Sequence, residues 1–301
     1  MKNLAASDAF VQRCVVLQAR LQTLPDKPEE TAASTLRVLW HLAAGRALSI
    51  EAADTTPLTA LDAAAEARLA ELMAQRVSGV PLAHLSGRQR FMGLELLASK
   101  DALIPRRETE LLGRAALELL QGMASSAEAV RVVDVCTGSG NLALSLAHHA
   151  PRARVFGADL SPEAVSLARR NAEHLSLQAR VEFRVGDLLE PFNHPEFHGQ
   201  VDLLVCNPPY ISSQKVDAMA GEISGFEPRL AFDGGPLGVR ILQRLIREAP
   251  TYLQKGGWLA FEVGLGQGPA VLKRMQASGA FSEHRSVTDA QGEIRVLLAA
   301  R

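Results

Sequence analysis

From about Val130 to the C-terminus the chain carries six short apolar runs, with segments of helical spacing between most of them. The runs are Arg131 to Cys136, Arg154 to Ala158, Val181 to Val185, Val201 to Cys206, Trp258 to Val263 and Ile294 to Ala299. The clearest helical segments are Pro162 to Leu175 and Leu237 to Leu253. Mostly apolar runs of this length suit strands of a covered sheet. Strands that alternate with helices leave few folds open, because each crossover helix makes its two strands parallel and covers one face of the sheet. The sequence therefore predicts an α/β domain with a mostly parallel sheet in this half.

The N-terminal part has another texture. Leu, Val and Ala recur at three- and four-residue spacing from Ala9 to Leu24 and again from Thr31 to Leu48, which is helical periodicity. Thr59-Ala60-Leu61-Asp62 has the form of a capping box opening a helix to about Val77, and Ser78-Gly79-Val80-Pro81 ends it with Gly near the C-cap and Pro beyond. Residues 25–28 and 54–57 read as loops. After Gly87, the stretch Arg90-Phe91-Met92-Gly93-Leu94-Glu95-Leu96 has short apolar runs broken by Gly, as in a hairpin. The expected organisation is an N-terminal helical domain over 1–86, a β-hairpin linker over 87–108 and the α/β domain over 109–301.

Bulk properties exclude several classes. In 301 residues, 47% are hydrophobic, enough for full cores without disulfides or metals. The formal net charge of -1 argues against a surface built for nonspecific phosphate binding. Cys14, Cys136 and Cys206 are far apart, and neither they nor His84 and His148-His149 have metal-ligand spacing, so no metal is expected. Nothing approaches a membrane-spanning apolar stretch, and the start of the chain lacks a secretory pattern. A reducing cytoplasm is the expected location.

Asp134-Val135-Cys136-Thr137-Gly138-Ser139-Gly140-Asn141 lies where the first α/β strand meets its helix. Two glycines there permit a tight turn and close backbone approach to a ligand. Asp159 ends the next strand, where a carboxylate can hold the two hydroxyls of a ribose. Asp187 and Leu188 follow the third strand, offering an acceptor for an adenine amine and an apolar side chain for its ring. Gly138-x-Gly140-x-x-Ala143 also satisfies a dinucleotide fingerprint, so NAD(P) is the rival ligand.

Asn207-Pro208-Pro209-Tyr210 ends the fourth run and separates these readings. Prolines restrict the backbone and add no N–H, so the loop is rigid and rich in acceptors. The Asn207 side-chain oxygen and the Pro208 carbonyl can each accept one hydrogen bond from a planar NH2 group, and Tyr210 can stack on it. An amide nitrogen is a poor nucleophile, and methyl transfer from a sulfonium needs in-line approach. Positioning can then supply most of the rate. A dehydrogenase has no use for this tetrapeptide, whereas S-adenosylmethionine with an amine-bearing substrate does. No general base is assigned. Glu108 and Glu110 read as charges at a helix N-terminus. Asp233-Gly234-Gly235-Pro236 reads as a turn before a helix, and Arg88, Arg90, Arg106 and Arg107 read equally as a protein-contact surface or as solvated charge.

With these residues placed, the chain resembles the protein-(glutamine-N5) methyltransferases, in particular their release-factor branch. The likeness is carried by Gly79 to Gly87, Leu103-Ile104-Pro105-Arg106-Arg107-Glu108-Thr109-Glu110, Asp134 to Gly140, Asn207 to Tyr210, and Phe226-Glu227-Pro228-Arg229-Leu230-Ala231 with Asp233-Gly234-Gly235. The tetrapeptide alone is shared with adenine-N6 DNA and RNA methyltransferases. The resemblance implies a seven-stranded, Rossmann-like class I methyltransferase domain, with the N-terminal helical domain recognising the protein substrate. It implies S-adenosylmethionine as cofactor, held by Cys136, Thr137, Gly138, Ser139, Gly140, Asp159, Asp187, Leu188 and Asn207. Asn207, Pro208, Pro209 and Tyr210 would contact the substrate, the glutamine of the Gly-Gly-Gln loop in class 1 peptide chain release factors. A monomer without stable nucleic-acid binding is expected. Arg107 stands where the family usually has Pro. Cys136 stands where the release-factor branch usually has Gly, Cys being more usual in the sister enzyme that methylates ribosomal protein L3. That enzyme and an adenine-N6 methyltransferase are the alternatives.

Overall fold

The computed structural model describes residues 2–22, 27–123, 129–218 and 225–301. The chain divides into two compact units. In the first, α1 (Lys2–Gln18), α2 (Ala32–Ala43), α3 (Ile50–Thr55), α4 (Ala63–Val77) and α5 (Leu82–Ser86) precede a hairpin of β1 (Arg88–Phe91) and β2 (Leu94–Leu97). Leu17, Leu36, Leu39, Trp40, Ala53, Leu69 and Leu82 form its apolar centre. Thr31 and Ser49 cap α2 and α3 by accepting from the N–H groups of Ser34 and Ala52. At α4 the cap is Asp62, which accepts from Ala65 at 2.8 Å, so the helix starts later than the Thr59 capping box predicted. The Thr59 carbonyl instead accepts from the Trp40 indole. The short α3, which the sequence did not suggest, runs into the loop expected over 54–57, because Ser49 supplies a cap. Met92 and Gly93 have φ of 47° and 85°, the paired left-handed residues of a two-residue hairpin turn.

Residues 104–106 and 225–227 belong to this first unit as well. Glu227 explains why: its carboxylate accepts from the Ile104 N–H at 2.8 Å and from Arg106 at 2.6 Å, with side-chain exposures of 0% for Glu227 and 8% for Arg106. Arg106 is therefore neither a surface contact nor a solvated charge. Breaking a buried pair of this kind by removing one partner typically costs about 3–5 kcal/mol.

The second unit opens with α6 (Glu110–Gly122) and contains a seven-stranded sheet. Its strands are β3 (Val130–Val135), β4 (Ala153–Asp159), β5 (Val181–Val185), β6 (Val201–Cys206), β7 (Leu253–Glu262), β8 (Glu283–Thr288) and β9 (Ile294–Ala300). They lie in the order β5-β4-β3-β6-β7-β9-β8, with β9 antiparallel to both neighbours and the remaining pairs parallel. Five of the six strands read from apolar runs are within two residues of their expected starts, while β7 begins five residues early at Leu253. β8 was not read. Its side chains run exposed and half-buried along an edge, so hydrophobic patterning carries no trace of it. Crossover helices include α7 (Asn141–His149), α8 (Pro162–His174), α10 (Arg240–Tyr252) and α11 (Gly268–Ser278), with a short α9 (Ser213–Asp217) after β6. The chain winds outward from β3 to β5 and then returns to place β6 on the other side of β3. The carboxyl ends of β3 and β6 are therefore the switch point at which such sheets form a ligand crevice.

Candidate active site

Strand register brings the predicted residues to one edge. Val135 pairs with both Ala158 and Cys206, and Asp159 pairs with Val185. The residues that follow, Cys136 to Gly140, Leu160, Gly186 to Leu188 and Asn207 to Tyr210, thus leave the sheet side by side at strand spacings of about 4.8 Å. One step beyond the paired Cys206 and Phe261 stand Asn207 and Glu262.

The loop after β3 shows what each residue does. Gly138 (φ 55°) has nothing within 4 Å of an added Cβ, and its N–H donates to Asp159 Oδ2 at 2.8 Å. Gly140 (φ 81°) is different: a Cβ there would lie 2.9 Å from the Phe183 ring, so this glycine serves close packing at the start of α7. Thr137 and Ser139 are buried. The Thr137 hydroxyl donates to Asp134 Oδ2 at 2.6 Å, and the Ala143 N–H donates to the same oxygen at 3.2 Å. Those two side chains are turned into the protein, so any ligand contact there is left to their backbone. Burial pushes Asp134 up to about 7. Cys136 adopts φ 58°, a conformation that costs a side-chain-bearing residue about 1–2 kcal/mol. This is the physical reason a glycine suits the position.

Asp159 accepts from the Gly138 and Ser161 N–H groups, one on each oxygen. Burial raises its pKa, and these N–H donors oppose the shift. A carboxylate offers about four lone-pair sites, so acceptor capacity is left for ligand hydroxyls. Leu160 beside it is exposed. Asp187 is bound by Arg244 of α10 at 2.6 Å, a partner that no motif announces, and Leu188 is buried with φ 50°.

At the end of β6, Asn207 donates from Nδ2 to Thr109 Oγ1 at 3.0 Å. Tyr210 donates from its hydroxyl to Glu262 Oε1 at 2.9 Å, and its carbonyl accepts from Gln267 Nε2 at 2.9 Å. Burial, reinforced by the Glu262 charge, pushes the Tyr210 hydroxyl well above its ordinary pKa. Glu262 is itself pushed up to about 7 by burial, opposed by Thr109, Tyr210 and Arg295. Asp233 to Gly238 is more than a turn before a helix. Gly234 donates to the Ile211 carbonyl at 2.8 Å, Ile211 donates to Phe232, and Gly238 packs directly on the Tyr210 carbonyl. This segment braces the tetrapeptide from behind. Glu108 pairs with Arg295 at 3.4 Å, and Glu110 with the exposed Arg114.

The arrangement joins an Asp159-lined crevice, suited to a ribose-bearing ligand, with a rigid acceptor loop beside it. Comparisons with known proteins point to one family. The profile of a family described as a methyltransferase domain matches residues 126–272. The release factor glutamine methyltransferase of Moorella thermoacetica is 40% identical over 238 residues, 79% of this chain and 81% of that protein. That of Koribacter versatilis is 36% identical over 276 residues, 92% and 93% of the two chains. The chain belongs to the release factor glutamine methyltransferase family. Among solved structures, the human methyltransferase 10 domain containing protein superposes with a TM-score of 0.52 at 17% identity, over 69% of this chain and 89% of that one. The N-terminal domain of human METTL16 in complex with SAH gives 0.51 at 17%, over 76% and 82%. At these identities the two structures speak for the shared methyltransferase fold alone.

The structure adds residues to the site to which the sequence assigned no role. Thr109, Glu262, Gln267 and Gly238 all touch the tetrapeptide or its neighbours. One signal was available: Glu262 is a lone carboxylate at the end of the apolar run Trp258-Leu259-Ala260-Phe261, and an unpaired charge is rarely placed there.

Proposed function

We propose that this chain transfers the methyl group of S-adenosylmethionine to the side-chain amide nitrogen of a glutamine in a class 1 release factor, at its Gly-Gly-Gln loop. The observation that carries the reading is Asn207: its Nδ2 is tied to buried Thr109, which directs Oδ1 to an incoming donor at the mouth of the crevice. The residues present fit the cofactor. Gly138 leaves open space for close approach, Asp159 has acceptor capacity for two hydroxyls, and Leu160 offers exposed apolar surface for a ring, while Leu188 is packed into the core. When bound, S-adenosylmethionine supplies an electrophilic methyl on a sulfonium.

The protein's part is positional. Asn207 Oδ1 and the Pro208 carbonyl each accept one hydrogen of the glutamine amide, so its nitrogen is presented in a single orientation. Orientation of this kind can account for about 7–11 kcal/mol of a barrier. As positive charge builds on that nitrogen, both hydrogen bonds strengthen, which stabilises the transition state over the ground state. No side chain is assigned as base, because the nitrogen becomes acidic once methylated and its proton passes to water. Pro209 keeps the loop rigid. Tyr210, held at both ends, offers its ring to the flat amide.

The helical domain expected over 1–86, with the hairpin over 87–108, would recognise the protein substrate, and 109–301 would carry the chemistry. A cytoplasmic monomer that binds no nucleic acid stably fits a substrate of the translation machinery. Among the described residues no helix is long and apolar enough to cross a membrane.

The test is incubation with labelled S-adenosylmethionine and, separately, a release factor, ribosomal protein L3 and DNA, with the product mapped by mass spectrometry. Methyl on the Gly-Gly-Gln glutamine is expected. Label on ribosomal protein L3 or DNA alone would overturn the assignment. Asn207→Ala should keep cofactor affinity within a few-fold and lose about 10²–10³ in turnover, the size of one lost transition-state hydrogen bond.

A further inference from the structure

We propose that Gln267 is a positioning residue for methyl transfer: its side-chain amide clasps the far end of the tetrapeptide and sets where Tyr210 stands. This rests on the reading above that Asn207 to Tyr210 receive the substrate amide. Pro208 and Pro209 have φ locked by their rings, but ψ stays free and neither has an N–H to donate. The loop cannot be fastened there by donors of its own, so the fastening must come from outside.

Gln267 occupies the N-cap of α11. A residue there normally uses a short side chain to accept from the first N–H groups of its own helix. Gln267 makes no such bond. Its side chain reaches instead to Tyr210, 57 residues earlier in the chain. Both ends of the amide are used. Oε1 accepts from the Gly264 N–H at 3.0 Å, while Nε2 donates to the Tyr210 carbonyl at 2.9 Å and, more weakly, to the Gly238 carbonyl at 3.5 Å. A flipped amide would set Oε1 against two carbonyl oxygens and Nε2 against an N–H, so its orientation is fixed.

One amide thus joins the loop after β6, the segment before α10 and the loop after β7. Glycines leave it room. A Cβ on Gly264 would lie 2.9 Å from Gln267 Oε1 and 3.0 Å from the Tyr210 ring, and one on Gly238 would lie 3.1 Å from Gln267 Nε2. By holding the Gly264 N–H, Gln267 also keeps that backbone against the Tyr210 ring. The hydroxyl at the other end of the ring donates to Glu262 at 2.9 Å. A tyrosine gripped at its carbonyl, its ring and its hydroxyl has one place to stand, and the two prolines pass that placement to the Pro208 carbonyl and Asn207.

Two variants of the full chain test this. Gln267→Glu keeps the shape and the acceptor for Gly264, but turns a carboxylate oxygen on the Tyr210 and Gly238 carbonyls. A negative charge at a helix N-terminus is favourable, so a residue that served only α11 would tolerate the change. Gln267→Met keeps the length and loses every hydrogen bond. Each should lower kcat for methylation of a release factor by about 10- to 100-fold, the effect of a displacement approaching 1 Å, with cofactor affinity little changed. Wild-type kcat in Gln267→Glu, or a loss of cofactor affinity as large as the loss in kcat, would overturn the clasp. A second readout needs no substrate. The chain has two tyrosines, Tyr210 and Tyr252, so protein labelled with fluorotyrosine gives two fluorine NMR signals, which Tyr252→Phe assigns. Both Gln267 variants should shift or broaden the Tyr210 signal and leave that of Tyr252 in place. An unmoved Tyr210 signal, or equal movement of both, would overturn the clasp as well. A wild-type chain that methylates no release factor would sink the proposed function, while the fluorine signals would still decide what Gln267 holds.

Discussion

Replacing Gly238 by Ala should disable turnover without unfolding the protein. Gly238 has φ 69°, and a Cβ built on it would lie 2.3 Å from the Tyr210 carbonyl oxygen and 3.1 Å from Gln267 Nε2. Side-chain carbons are essentially never found closer than 3.0 Å to another heavy atom, so one partner must move by about 0.7 Å or more. The Tyr210 carbonyl is the partner that gives, because Gly238 is hemmed in by its own N–H bond to Gly235 and opens directly into α10. Tyr210 is joined to two prolines that restrict backbone rotation, so the shift passes to Pro208 and Asn207. A misplacement near 1 Å can cost about 10²-fold in rate. The left-handed conformation adds about 1–2 kcal/mol of strain for any side chain. Gly279→Ala separates the two effects, since Gly279 has φ 64° with nothing within 4 Å of an added Cβ. Both variants should lose similar stability in thermal denaturation. Only Gly238→Ala should lose about 100-fold in kcat for methylation of a release factor at saturating cofactor. Equal turnover in the two variants would refute the claim that this segment braces the tetrapeptide.

Cys136→Gly should be more stable than Cys136→Ala by about 1 kcal/mol in denaturant titration, because both lack the thiol and only Ala keeps the strain of φ 58°. Asp134 holds its proton up to about 7 in the folded chain against 3.8 otherwise. Its contribution to stability is present at low pH and is lost as pH rises through 7. Asp134→Asn should therefore shrink the stability difference between pH 5 and pH 8 by about 2–3 kcal/mol relative to wild type, and an unchanged difference would count against burial as the cause. Glu227→Ala should cost the first unit about 3–5 kcal/mol by stranding buried Arg106, read as lost hydrogen-exchange protection at Leu36 to Trp40, while Arg106→Met with Glu227→Leu should recover part of it.

The elements that were legible from residues alone are those in which burial is uniform or periodic. Val181–Val185 and Val201–Cys206 were read residue for residue, the central Val201–Cys206 because it is apolar almost throughout and the edge strand Val181–Val185 because its apolar residues alternate with polar ones. The edge strand Glu283–Thr288 was missed because half of it faces water. The short α3 is set by its Ser49 cap and α5 by its contacts with α2, rather than by their own pattern. Within the site, the glycine loop, Asp159 and the tetrapeptide were visible because each breaks local composition at the end of a strand. Thr109 and Gly238 were invisible: a threonine before a helix and a glycine after Pro-Leu have many ordinary explanations, and their partners are 98 residues away in Asn207 for one and in Tyr210 for the other.

The sequence by itself determined the fold class and marked a cofactor crevice beside a loop suited to a planar NH2 group. Those follow from strand-end chemistry, which is local and survives in one dimension. Tertiary structure decided which groups do which work: that Gly140 serves packing and Gly138 open space, that Thr137 faces Asp134, that Arg106 is locked to Glu227, and that Thr109 holds the Asn207 amide. Each of these depends on where a hydrogen or a lone pair is left over after its neighbours are satisfied, and only folded geometry fixes that remainder.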